Sequence, residues 1–150
     1  MKNIFALFFL IIFSSCGYNS LYKNAQSDDF KINVISITGD DEINKFIKKG
    51  LELRSSNSSK NVYDLSIETN YNKLILSKDT NGVATDYQVF VDAIFKINFN
   101  KQSEIFSFTE SVKMKKISDS LEELSYEKNI KNNFSQSLQN KLILKLNNFR

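Results

Sequence analysis

One thiol, no imidazole and scattered lysines set the chemistry open to this chain. Cys16 is the only cysteine, and there is no histidine among the 150 residues. Without histidine the commonest general base and the commonest metal ligand are both missing. No G-x-S-x-G, P-loop or G-x-G-x-x-G pattern occurs. Asp40, Asp41 and Glu42 could suggest a cation site, but helix capping explains them better. Glu122 and Glu123 likewise read as acids at a helix start. No pair of carboxylates is singled out for hydrolysis. The expectation is therefore no catalytic residue, no metal and no cofactor. Two basic groups remain as candidate anion contacts. Lys73 and Lys78 flank a turn, and Lys113, Lys115 and Lys116 close a strand. Lysine there would meet phosphate or carboxylate. The same residues also suit a solvated strand end.

The surroundings of Cys16 decide what its sulfur is for. Lys2 puts a positive charge at the start, and Ile4 to Phe13 is an apolar run of ten residues. Ser14 and Ser15 then precede Cys16. A basic start, a short apolar run and small residues make a secretory signal. Ten residues rise about 15 Å as a helix, against about 30 Å of hydrocarbon, so the run cannot comfortably span a bilayer. A cysteine directly after such a run resembles the lipobox of bacterial lipoproteins, although Phe13 replaces the usual Leu. The resemblance implies cleavage before Cys16, a diacylglycerol on its sulfur and an acylated new amino terminus. One chain anchors only marginally, and three would be effectively permanent. Gly17 follows in place of Asp, which in enteric bacteria resembles an inner-membrane retention signal. That leans towards the outer membrane.

The expected organisation is a signal peptide over 1–15, a lipidated tether over 16–29 and a single α+β domain over 30–150. One domain of this size buries roughly two-thirds of its unfolded surface. Net charge is +3, and +2 once Lys2 has gone with the leader, which does not argue for nucleic acid. With one cysteine, no disulfide can form within the chain, so packing must stabilise it.

Phe30 to Thr38 reads as a strand whose phase shifts at Ile35 and Ile37, predicting either a bulge or a strand buried on both faces. Asp40 predicts a helix N-cap, and Ile43, Phe46, Ile47, Gly50 and Leu51 form its apolar stripe. Residues 55–60 are a loop. Val62 to Leu76 alternates, with Tyr63, Leu65, Ile67, Thr69 and Tyr71 on one face. Asn81-Gly82 marks a turn at 78–82. Tyr87 to Phe99 alternates again, and residues 100–104 turn. Phe106, Phe108, Val112 and Met114 line a fourth strand running to about Ile117. Ser120 and Glu123 fit a capping box, opening a helix from about 120 to 148. Its expected stripe is Leu121, Leu124, Phe134, Leu138, Leu142, Leu146 and Phe149. The order β-α-β-β-β-α predicts two helices on one face of a four-stranded, mostly antiparallel sheet. The other face, with Asp64, Glu68, Asn70, Asp92 and Lys96, is polar and must meet water or a polar partner. No transmembrane segment is expected in the mature chain. The basic groups would be neighbours if the second and fourth strands lay side by side.

Three features combine in a family resemblance. The chain from Cys16 reads CGYNSLY, the element order is as above, and the last third reads DSLEELSYEKNIKNNFSQSLQNKLILKLNNF. This resembles the alphaproteobacterial form of LptE, the lipopolysaccharide-assembly lipoproteins. Ser20 stands where that family usually has Pro, and the last helix lacks the family's Ala and Arg richness. The resemblance implies a plug in the lumen of an LptD-type outer-membrane β-barrel, helping it assemble and contacting lipopolysaccharide on its way to the surface. It also implies an outer-membrane, periplasm-facing location through the lipid anchor. Barrel lumens are polar, which suits a polar sheet face. Tyr18 and Tyr22 would sit at the membrane interface or on the barrel wall. Two other roles fit the same sequence: an auxiliary lipoprotein of an ABC-type lipid transporter, and a structural envelope lipoprotein without ligand.

Overall fold

A computed structural model describes residues 30–148. The readings on residues 1–29 and on Phe149, including Cys16, Tyr18 and Tyr22, lie outside them. The elements are β1 (Lys31–Gly39), α1 (Asp41–Arg54), β2 (Val62–Lys78), β3 (Ala84–Phe99), β4 (Gln102–Lys115) and α2 (Ser120–Asn148). The strands form one sheet in the order β1-β2-β3-β4. This is the α+β arrangement expected, with β1 parallel to β2 and the other neighbours antiparallel. A parallel pair needs a crossover, and α1 supplies it.

Alternation produces the two faces. Tyr63, Leu65 and Ile67 of β2 and Val89, Val91, Phe95 and Ile97 of β3 are buried beneath the helices. Ile67, Phe95 and Phe106 stand side by side across three strands. The bulge falls between Val34 and Ser36, leaving Ile35 exposed. The β3–β4 turn is tighter than expected. Phe99 pairs directly with Gln102, and Asn100 and Lys101 both take positive φ, at 49° and 67°. Two positive φ values match a turn's twist to that of its strands.

Asp40 caps α1, its Oδ1 accepting from the Ile43 N–H at 2.9 Å. The helices meet at Gly50, where an added Cβ would lie 1.9 Å from Gln139 Oε1. Gln139 Nε2 donates to the Phe46 carbonyl at 3.1 Å beside it. Glycine at 50 lets the two helices approach, and a buried glutamine ties them.

α2 has the expected length and, from Phe134 to Leu146, the expected stripe, but its first turns differ. Ile130, Phe134, Leu138, Leu142 and Leu146 are buried, whereas Leu121 and Leu124 are 76% and 64% exposed. Stepping back from Ile130 by three and then four residues reaches Glu127 and Glu123, and these face the sheet. The capping box is also replaced. Asp119, not Ser120, accepts from the N–H groups of Leu121 and Glu122, at 2.8 and 2.9 Å. That leaves Glu123 free to point inward. No helix among the described residues is long and apolar enough to cross a membrane.

Candidate functional site

The β2–β3 turn, the end of β4 and the start of α2 converge at one end of the sheet. All five candidate lysines lie there. The condition for the two groups to be neighbours, β2 beside β4, is not met, because β3 stands between them. Two members of the groups are nevertheless brought together, by a carboxylate. Glu123 accepts from Lys73 Nζ at 3.0 Å and from Lys116 Nζ at 2.8 Å. Lys73 also reaches Glu127 at 2.8 Å, and Glu127 accepts from the Tyr71 hydroxyl at 3.0 Å. The Lys73 ammonium lies 4.4 Å from the Tyr87 ring centre.

The electrostatics follow from this geometry. The Lys116 bond is the main reason the Glu123 carboxyl falls to about 2, against the opposing pull of burial; Lys73 and the Ile117 N–H add to it. Burial works against the Lys73 charge, but the Glu127 and Glu123 bonds outweigh it and raise the group above its ordinary value. Burial, then the bond to Glu127, raises Tyr71. Lys131 closes the next stretch, bonding Asp40 at 2.8 Å and lying 4.6 Å from the Tyr71 ring centre. The first third of α2 is thus clamped to the sheet by charges.

This divides the five lysines. Lys73 and Lys116 are engaged in holding α2. Lys78, Lys113 and Lys115 are exposed and make no ion pair among the described residues. Lys113 and Lys115 stand opposite Gln88 and Asp86 on the open sheet face. Lys78 begins the turn, where Asp79 accepts from the N–H groups of Asn81 and Val83. Gly82, at φ +80°, supplies the expected positive φ. Leu74, Ile75, Leu76 and Val83, with Leu121 and Leu124 of α2, expose aliphatic surface at the same end. Sequence reasoning placed Glu123 at a cap and did not single out Glu127. The spacing of the buried stripe, run back from Ile130, could have found both.

Asp86 accepts from the Ser77 and Thr85 hydroxyls at 2.5 and 3.0 Å, and those bonds lower its pKa. A carboxylate lowered in this way is a weak base. Among the described residues no three acidic, Cys or His groups gather to hold a metal ion. The open face carries the expected polar residues, with Asn33 bonded to Asp64 at 2.8 Å and Thr109 to Asp92 at 2.6 Å, but it also exposes Ile94 and Ile105. On that face Ser36, Thr38, Ser66, Glu68, Ile94, Lys96 and Ile105 line an open recess of about 280 Å³.

No family model matches the chain, and no curated protein matches it by sequence. The fold does have solved counterparts. Rare lipoprotein B from Shewanella oneidensis superposes with a TM-score of 0.53 at 15% identity, over 79% of this chain and 100% of that one. A putative lipoprotein from Caulobacter crescentus gives 0.52 at 12% identity, over 79% and 92%. At such identities the likeness is one of fold.

Proposed function

We propose that the chain is a non-enzymatic envelope lipoprotein of the LptE type, anchored through Cys16 to the outer membrane. It would plug an LptD-type barrel, help it assemble and contact lipopolysaccharide during export. The observation carrying this reading is the shared fold, which accounts for all of one solved lipoprotein and nearly all of another. The signal and Cys16 at the start of the sequence support it independently. The polar open face suits a polar lumen.

Within this reading the glycolipid contact falls to Lys78, Lys113 and Lys115. Lys73 and Lys116 already neutralise Glu123. Replacing the three free lysines by Gln should weaken lipopolysaccharide capture in a pull-down and leave the melting temperature unchanged. Unchanged capture would remove the lysines from the contact.

The function itself is tested by purifying the lipidated chain from detergent-solubilised host membranes and identifying what accompanies it. A large barrel that resists unfolding in detergent is the expected partner. Inner-membrane transporter components, or no partner at all, would overturn the reading.

A further inference from the structure

The charges that clamp α2 to the sheet are sorted by sign. Lys73 stands on β2 and Lys116 follows β4, so the sheet side supplies the cations. Every carboxylate that pairs with either lysine among the described residues belongs to α2. Without the first turns of the helix, two ammonium groups and the Ile117 N–H would converge with no acid paired to them.

Glu123 lies among these donors as a bound anion would. Its Oε1 accepts from Lys73 Nζ at 3.0 Å. Its Oε2 accepts from Lys116 Nζ at 2.8 Å and from the Ile117 N–H at 3.2 Å. Both oxygens are held, by donors from two separate stretches of chain. Two cations and a backbone N–H around one oxyanion are the donor set of a phosphate or carboxylate site. The fall of this carboxyl to about 2 reports the same preference for negative charge.

The segment that fills the site is the least anchored part of α2. From Ser120 to Asn129 only Glu123 is buried. Leu121 and Leu124 face solvent, so no apolar seam adds to the hold. Ion pairs are poor permanent fasteners, since apolar packing of similar volume often does as well or better. They are, however, exchangeable, because another anion can compete for the same donors. The segment also carries its own helical start. Asp119 accepts from the Leu121 and Glu122 N–H groups through its side chain and from the Glu123 N–H through its carbonyl. Asn129, Asn132 and Asn133, weak helix formers, lie where it joins the apolar half. It can therefore lift as a helical unit with that junction as its hinge.

We propose that Lys73, Lys116 and the Ile117 N–H form a binding site for a phosphate-type oxyanion, that Glu123 closes it as an internal stand-in, and that a bound phosphate displaces the first turns of α2. The site belongs to the helix face, whereas Lys113 and Lys115 lie on the open face, so it stands apart from the glycolipid contact and from the barrel reading.

The test uses the purified full chain in detergent, with sodium pyrophosphate as the probe and sodium chloride of equal ionic strength as the control. Calorimetry should find that Glu123→Gln with Glu127→Gln binds pyrophosphate about tenfold more tightly than the parent, which must first open the site. Adding Lys73→Gln and Lys116→Gln to that variant should abolish binding. Adding Lys113→Gln and Lys115→Gln instead should leave it unchanged. In the parent, pyrophosphate should speed hydrogen exchange of the amides at 121–129 but not of those at 134–146. Equal affinity in the parent and the Gln variant would overturn the proposal, as would parent exchange that pyrophosphate does not alter. Binding lost with Lys113 and Lys115 would also overturn it, and would place the anion on the open face. If the Gln variant fails to fold, exchange in the parent decides alone.

Discussion

The two ends of α2 rest on the same sheet by different physics. From Ile130 to Leu146 the helix buries Phe134, Leu138, Leu142 and Leu146, and apolar area removed from water is its main hold, with Lys131 on Asp40 and Lys141 on Glu110 along the margins. From Ser120 to Asn129 only Glu123 is buried, and its leucines face outward. There the hold is Lys73, Lys116 and Tyr71 on Glu123 and Glu127. An apolar seam is indifferent to pH and is strengthened by sulfate. An ion-pair seam responds to acid and is expensive to half-remove, because the remaining charge stays partly desolvated. One helix thus has a permanent end and a conditional end, and the conditional end adjoins the exposed lysines.

Substitutions can sharpen or break this contrast. The largest loss should come from Leu138→Ala in the permanent half, about 3 kcal/mol from lost transfer and the cavity left behind. Urea unfolding would measure it at any pH between 5 and 8. Glu123→Ala should cost about 2 kcal/mol at pH 7, since Lys73 and Lys116 lose a shared partner with both ammonium groups partly exposed. If both variants proved equally costly in acid and at neutrality, the two halves would not differ in kind.

Acid offers the next test. Glu123 has its carboxyl lowered from 4.5 to about 2 in the folded chain. A group lowered on folding adds stability above its unfolded value, and that stability fades as pH falls through the folded value. Between about pH 4.5 and 2 the parent should therefore lose stability that Glu123→Gln never had. Parallel curves for the two would exclude this carboxylate as the acid-sensitive contact. The smallest effect should be Leu121→Ser with Leu124→Ser, within about 0.5 kcal/mol, because both side chains already face solvent. A loss comparable to that of Leu138→Ala would show that these leucines pack in solution.

Much of the architecture was legible beforehand because its signals are local. Alternation in β2 and β3 gives two faces whatever the strands pair with. Asp40 caps α1 through a side chain three residues from its N–H donor. The phase shift at Ile35 left a bulge or a doubly buried strand, and the pairing with β2 made it a bulge. The errors arose where a distant partner decided between local options. Leu121 and Leu124 are spaced as well for burial as Glu123 and Glu127, and apolar pattern alone favours the leucines. Lys73, 50 residues away, reverses the choice by offering the carboxylates a partner they would otherwise lack.

The lysine groups illustrate the same divide. Their presence at a turn and at a strand end could be read directly. Whether each was free or engaged could not, because that depends on which strands are neighbours and on what α2 turns inward. By itself the sequence determined the order of elements, their approximate extents, the cap of α1 and the turn at Asn81-Gly82, since each rests on residues a few positions apart. Only the tertiary structure decided the place of β3 between β2 and β4, the close approach of the helices at Gly50, the inward carboxylates of α2 and the open edge of β4. Each of these depends on contacts between segments far apart in the chain, where packing and desolvation outweigh any local preference.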